Sequence, residues 1–368
     1  MKNLFQLSII IVLLTSTSNN LFAMFSGGSG TEQDPYQITS KEDMEYLAYV
    51  IDFGNYWSRN KHFKLMNDIT DSVKTMIGEI ANSRSFLGTF DGNNKKITLA
   101  INSNSGFSSA LFAGVDSSTY IHNLIVDGYV SGSFSGATGG IVGWNIGAKI
   151  SHCINKGDIT SNNNAVGGIV GDNRGGTISY CYNFGNIYSF STWGIGGIAG
   201  YNRGGTISYC YNFGNIGNIS YDEYWNTDII GGIVGESYGG LINNSQNSGN
   251  VIGASFVGGI VGFTEYSGEI SYCINVGTVR GDSIVGGIAG NSGNIYNSVN
   301  SGLVIGIEIV GGIIGRCFGE IRNCINTSVV KGNTKWGCIV GEIEGMYSNQ
   351  KGTIINCHYD KQVCGGGE

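Results

Sequence analysis

A single proline in 368 residues, and charged side chains at only 13%, leave little of what linkers and disordered chains are built from. Histidine is scarce. Its four copies, at 62, 122, 152 and 358, are too dispersed for an HExxH zinc pair, and no Cys/His spacing matches a metal site. No GxSxG elbow occurs, and no glycine-rich phosphate loop with a Lys-Ser/Thr partner. The sequence therefore offers no catalytic, cofactor-binding or metal-binding residues. Basic residues are outnumbered 20 to 27, giving a net charge of −7, which argues against nucleic acid as a partner.

Long apolar runs are missing as well, with one short exception. LFQLSIIIVLL at 4–14 follows Lys2 and precedes LFA at 21–23, the layout of an export signal (1–23) cleaved after Ala23. It is shorter than the roughly 20 residues needed to span a bilayer. The mature chain is expected to be secreted or on the cell surface, without inserting into a membrane.

Glycine is abundant, at 62 residues, and much of it sits in one returning phrase. GGIVG at 139–143 recurs as GGIVG, GGIAG or GGIIG from 167, 196, 231, 258, 286 and 311, and as a degraded GCIVG from 337. The steps are 28, 29, 35, 27, 28, 25 and 26 residues, the mark of a solenoid. A second phrase lies inside each unit: TISYCYNFG at 177–185 and 206–214, EISYCINVG at 269–277, and looser KISHCINKG at 149–157 and EIRNCINTS at 320–328. These stretches are short, β-branched and bounded by Gly and Asn, with no room for a helix. Ile178 and Cys181 are three apart, which breaks strict alternation and implies a corner between two strands. The unit reads as strand, corner, strand, a turn at Asn-x-Gly, and a third strand ending in the next glycine phrase. Stacked at about 4.8 Å per rung, such units make an all-β, right-handed parallel β-helix.

Several columns follow from this register. Cys153, Cys181, Cys210, Cys273 and Cys324 fall at the inward corner position, with Ser245 and Ser298 replacing them elsewhere, and are expected as free thiols in a core ladder. For Cys317, Cys338, Cys357 and Cys364 the reading stays open, a terminal Cys357–Cys364 bridge included. Asn155, Asn183, Asn212, Asn247, Asn275, Asn300 and Asn326 are expected to satisfy turn backbone groups or one another. Tyr180, Tyr209 and Tyr272, with His152, and the pair Tyr182 and Tyr211 should align on neighbouring rungs, as structural stacks or as a carbohydrate platform.

Ahead of the repeats, Ser40 and Asp43 suggest a capping box opening a short helix whose stripe is Met44, Leu47, Ala48 and Ile51. That N-terminal helix would cover the open end of the solenoid. Residues 24–130 thus read as a cap with irregular early coils, and 131–368 as repeats continuing the same β-helix.

The GGIVG, SYCYNFG and GDIT or GNI phrases resemble the GLUG repeat of bacterial surface proteins. So does the opening from GSGTEQDPYQITS through FKLMNDIT, FLGTFDGNNKKI, LFAGV and IHNLIVDG. The resemblance implies an adhesin-like module, or the non-catalytic repeat region that accompanies some immunoglobulin A-specific metallopeptidases, with no catalytic residues assigned to the repeat.

The 35-residue step between Gly196 and Gly231 carries an insertion, GNISYDEYWNTD at 217–228. Tyr221, Asp222, Tyr224, Trp225 and Asp228 in it form a candidate lip for an extracellular glycan or a host or matrix protein. A passive spacer is the alternative. A polysaccharide lyase or glycosidase is another, although the charges it would need, Asp172, Arg174, Arg203 and Glu236 among them, look scattered along the chain.

Overall fold

The computed structural model describes residues 25–364, except 55, 80–83, 104–107, 133–135, 163, 191–192, 219–227, 266–267 and 348–349. The export signal lies outside these residues. The chain is an all-β parallel solenoid with one N-terminal helix, α1 (Lys41–Phe53). Ser40 caps α1 by accepting the Asp43 amide at 3.4 Å, while the Asp43 carboxylate reaches back to the Thr39 amide at 2.7 Å. The reciprocal bond of the expected box has thus moved one residue upstream. Met44, Leu47, Ala48 and Ile51 are all buried against the first coils.

The coil at 177–203 shows the unit. Its strands are Thr177–Ser179, Tyr182–Asn183, Ile187–Ser189, Gly194–Gly196 and Ala199–Arg203. The expected third strand running into the glycine phrase is three strands instead. Ile187–Ser189 stops, and the glycine phrase supplies the fourth and fifth strands, bent at Gly197–Ile198. Alternation could not reveal this, because the fourth strands are buried on both faces. Among the described residues the first strands stack into a 12-stranded sheet and the fourth and fifth into nine-stranded sheets, all in parallel register. Second and third strands begin as one: Ile125–Gly132 pairs with both Ile154–Asn155 and Asp158–Ser161 of the next coil.

Breaking that long strand in two turns backbone groups inward, and asparagine meets them. Asn155 succeeds Val126 in the column where the break begins. Its Oδ1 accepts the Gly157 amide and its Nδ2 donates to the Gly157 carbonyl at 2.9 Å. The same Nδ2 donates to Oδ1 of Asn183 at 2.8 Å, and the chain continues through Asn212, Asn247, Asn275 and Asn300 to Asn326. A buried amide is costly unless satisfied, and here donor and acceptor are used in every coil. A second ladder, Asn145 to Asn173 to Asn202, runs inside the fifth sheet, at 2.8 Å per step.

The ladder explains the second glycine of each GG phrase. A Cβ on Gly168 would stand 2.5 Å from Cγ of Asn183 and 2.2 Å from the Gly197 carbonyl. Glycine there leaves the space that the amide fills. Cys338 replaces it in the last described coil, where the residue after Asn326 in the column is Tyr359 and not an asparagine. That cysteine bridges to Cys364. The open Cys357–Cys364 alternative is thus corrected. Cys357 stays in the inward column, its Sγ meeting the Cys324 amide at 3.5 Å, whereas Cys338 and Cys364 lie with Cα atoms 5.8 Å apart. Cys153, Cys181, Cys210, Cys273 and Cys324 are free and buried, as expected, and burial pushes the Cys273 thiol up to about 12.

Asn212→Ala removes one of the two acceptors of the Asn183 amide and the donor to the carbonyls of Gly214 and Asn247. It is expected to cost about 2–4 kcal/mol, read from the urea unfolding midpoint. Cys364→Ser should release the final coil. Limited proteolysis with fragment masses should then show faster cleavage beyond Val340 while the rest of the solenoid stays resistant.

Candidate ligand-binding groove

The fourth and fifth strands meet at a re-entrant bend, so side chains on their outer faces look towards each other. On the fifth strands the facing column is Trp144, Asp172, Tyr201 and Glu236, in register across four coils. Opposite them stand Ala137, Ala165, Gly194 and Ile229. The small residues make the room. Tyr201 packs on Ala137 and Ala165 with Trp144 against the cluster, and a Cβ on Gly194 would come within 2.6 Å of the Tyr201 ring. From Ile229 onward bulk returns, with the edge-on pair Phe256 and Phe263 at 5.6 Å in the next coil. What remains open is a cavity of about 390 Å³ lined by Gly136, Trp144, Asn164, Ala165, Asp172, Trp193, Tyr201 and Arg203.

Its floor is charged. Asp172 is 1% exposed, and its Oδ2 lies 3.1 Å from Nε of Arg174 and 3.4 Å from Nε of Arg203. The Arg174 guanidinium covers the Trp144 ring at 4.4 Å, and that of Arg203 covers Tyr201 at 4.4 Å and Tyr238 at 5.1 Å. Among the described residues Asp172 Oδ1 and Arg203 Nε are both buried without a hydrogen-bond partner; the Arg203 approach to Asp172 is an ion pair without hydrogen-bond geometry. Glu236 accepts the Tyr238 hydroxyl on Oε1, and its Oε2 is likewise unmatched. Burial pushes the Asp172 carboxyl above its ordinary range, with Arg203 and then Arg174 pulling the other way. Burial also raises Glu236, opposed by the Tyr238 hydroxyl and Arg203.

The residues expected to form a lip divide. Tyr221, Asp222, Tyr224 and Trp225 lie outside the described residues. Asp228 is 2% exposed, and its carboxylate accepts the amides of Ala254 at 2.8 Å and Ser255 at 2.5 Å. It fastens a turn of the next coil and does not present an outward acceptor. The insertion joins Ile216–Asn218 to Ile229–Gly231, the same connection that carries Trp193 one coil earlier. Sequence reading missed Trp144 and Trp193 and took the charges as scattered, whereas the register gathers Asp172, Arg174, Arg203 and Glu236. The available signal was the D-N-R and Y-N-R repeat at 172–174 and 201–203. Among the described residues no group of three or more His, Cys, Asp or Glu is placed to hold a metal ion.

The family described as the GLUG motif matches residues 134–160, the coil that contributes Trp144. This chain is a β-solenoid carrying that motif. A comparison with curated proteins finds no match. Among solved structures the chain is similar to a candidate immunoglobulin A1 protease from Bacteroides ovatus, at 18% identity over 91% of this chain and 87% of that one, with a TM-score of 0.46. At that identity nothing about activity is carried over.

Raised acids have a definite sign. A carboxyl whose folded pKa lies above its unfolded value costs stability when ionised, and that cost vanishes as pH falls through the folded value towards the unfolded one. Glu236→Gln should therefore be more stable than the parent near neutral pH. The advantage should shrink between the raised value and the ordinary 4.5 and be gone below it, in thermal melts across pH.

Proposed function

We propose that this chain is a recognition module without catalytic activity of its own, exported from the cytoplasm, which binds a saccharide in the groove between the fourth and fifth sheets. The supporting observation is the mismatch at the floor. Asp172 Oδ1 needs a donor and Arg203 Nε needs an acceptor, both buried beside an open cavity. One hydroxyl supplies both. The ring walls suit the apolar face of a sugar, and few ligands combine hydroxyls and apolar faces as sugars do. The leader at 1–23 supports export, which would bring extracellular glycans, or host and matrix proteins bearing them, within reach.

A second reading is polysaccharide hydrolysis. Asp172 and Glu236 sit two coils apart, roughly 9–10 Å at about 4.8 Å per rung, near the wider carboxyl separation of inverting glycosidases. Each has an unmatched oxygen.

The test is a glycan-array and matrix-protein screen of residues 24–368 beside Trp193→Ala and a Tyr224→Ala/Trp225→Ala double variant, with reducing ends assayed on every hit. Saturable saccharide binding weakened about tenfold by Trp193→Ala, equivalent to about 1.4 kcal/mol, is the expected result. Binding lost only in the double variant would move the site to the insertion. No binding by folded protein would leave a spacer, and new reducing ends abolished by Asp172→Asn would make the chain an enzyme.

A further inference from the structure

A different face, the corner between the first and second strands, carries an arrangement that the groove does not use. Every repeat coil turns this corner through one residue in the left-handed region. In five coils it is asparagine: Asn123, Asn244, Asn297, Asn323 and Asn356, with φ between 48° and 55°. Asparagine tolerates that conformation because its short amide bonds locally, and bulky side chains do not. Yet Tyr180, Tyr209 and Tyr272 occupy the same corner at φ 54°, 52° and 54°, and His152 at 53°. The chain accepts backbone strain at positions where it elsewhere uses the relaxed residue.

Core packing does not explain the choice, because these rings point outward: Tyr180, Tyr209 and Tyr272 are 41%, 40% and 58% exposed. Stacking explains only part of it. Tyr180 and Tyr209 lie 4.9 Å apart and near parallel, and His152 continues the row. Tyr272 has Asn244 and Asn297 at the neighbouring corners and no ring contact among the described residues. Strained residues displayed to solvent are a mark of function.

The row is widened by its neighbours. Tyr182 stacks on Tyr211 at 5.1 Å and Phe184 on Phe213 at 4.9 Å, so two adjacent coils present six rings in three columns. No Asp, Glu, Lys or Arg occurs in 180–184, 209–213, 244–248 or 272–276, on a chain whose net charge is −7. The His152 coil adds one cation at the end of the row, Lys156, in line with Phe184, and no carboxylate. A charged partner finds a single lysine to pair with there. The rings recur at about the advance of one sugar unit along an extended chain, and their hydroxyls, with Gln246 beyond them, provide hydrogen bonds at the same interval.

We propose that this aromatic corner face is a second binding surface, which takes an uncharged polysaccharide lying along the solenoid axis. The ligand class rests on the saccharide reading above, but the surface is separate from the groove. Short oligosaccharides, which can fill the groove but span few rungs, gain little from the corner face. A long chain contacts successive rungs and gains from each.

The experiment uses Tyr180→Asn/Tyr209→Asn, which installs the residue that five other corners already carry. Affinity electrophoresis against hydroxyethyl cellulose, galactomannan, alginate and heparin is run beside calorimetry with cellotetraose and mannotetraose. We expect at least tenfold weaker retention by a neutral polymer, unchanged oligosaccharide binding, and an unfolding temperature unchanged or raised. An unfolding temperature several degrees lower with polymer binding intact would overturn the proposal and make the rings structural. Retention only by alginate or heparin, or by no polysaccharide at all, would overturn it as well. Trp193→Ala separates the two surfaces: loss of oligosaccharide binding in that variant alone supports the groove and not this face, and polymer binding lost only in the tyrosine variant does the reverse.

Discussion

The structure depends on parallel backbone pairing held in one register from coil to coil. Each coil hydrogen-bonds to the next, residue for residue, so a side chain lies over its own counterpart about 4.8 Å away. Whatever the repeat contains must then be compatible with itself. An asparagine amide satisfies this well, since its donor meets the acceptor of the next copy, and the seven-residue ladder from Asn155 to Asn326 is the result. Ile, Val and small Cys or Ser columns satisfy it by packing. A column of like charges does not, because repulsion at that spacing accumulates, which accounts for a charged fraction of only 13%.

Where charges do recur, the structure interrupts or screens them. Arg316 is in register with Glu342, 3.4 Å away. Arg174 and Arg203 share the buried Asp172 and are separated by the rings they cover. The groove therefore belongs to the coils in which the repeat tolerates unlike neighbours. Among the described residues, departures from the repeat, Asp172 among them, leave polar groups without partners, whereas the repeated asparagine column is satisfied internally. A solenoid of this kind separates two tasks: the inward columns maintain the fold, and the outward columns are free to differ.

Much of this was legible in the chain. The returning glycine phrase announced a solenoid, the three-residue step from Ile178 to Cys181 located the corner, and the Ser40 helix emerged as the cap. Legibility failed where a property depended on the cross-section. The fourth strand of each coil went unseen as a separate element because residues such as Ala165 and Gly167 are buried on both faces, so their pattern resembles a loop rich in small residues. Asp228 looked like an acceptor on a loop until its carboxylate was found on the amides of Ala254 and Ser255. Trp193 carried no signal of its own, being neither repeated nor flanked by charge.

The sequence by itself determined the architecture and its inward columns, because both arise from a local phrase repeated at a near-constant interval, and stacking adds no information beyond that interval. Only the tertiary structure decided the groove and the end-coil disulfide. Asp172, Arg203 and Trp193 meet through the bend between the fourth and fifth sheets, and Cys364 meets Cys338 because the chain after His358–Tyr359 turns back across the second position of the last glycine phrase. Neither proximity is encoded in spacing along the chain; the first follows from the angle at which two sheets join and the second from the path of the chain after the last described strand.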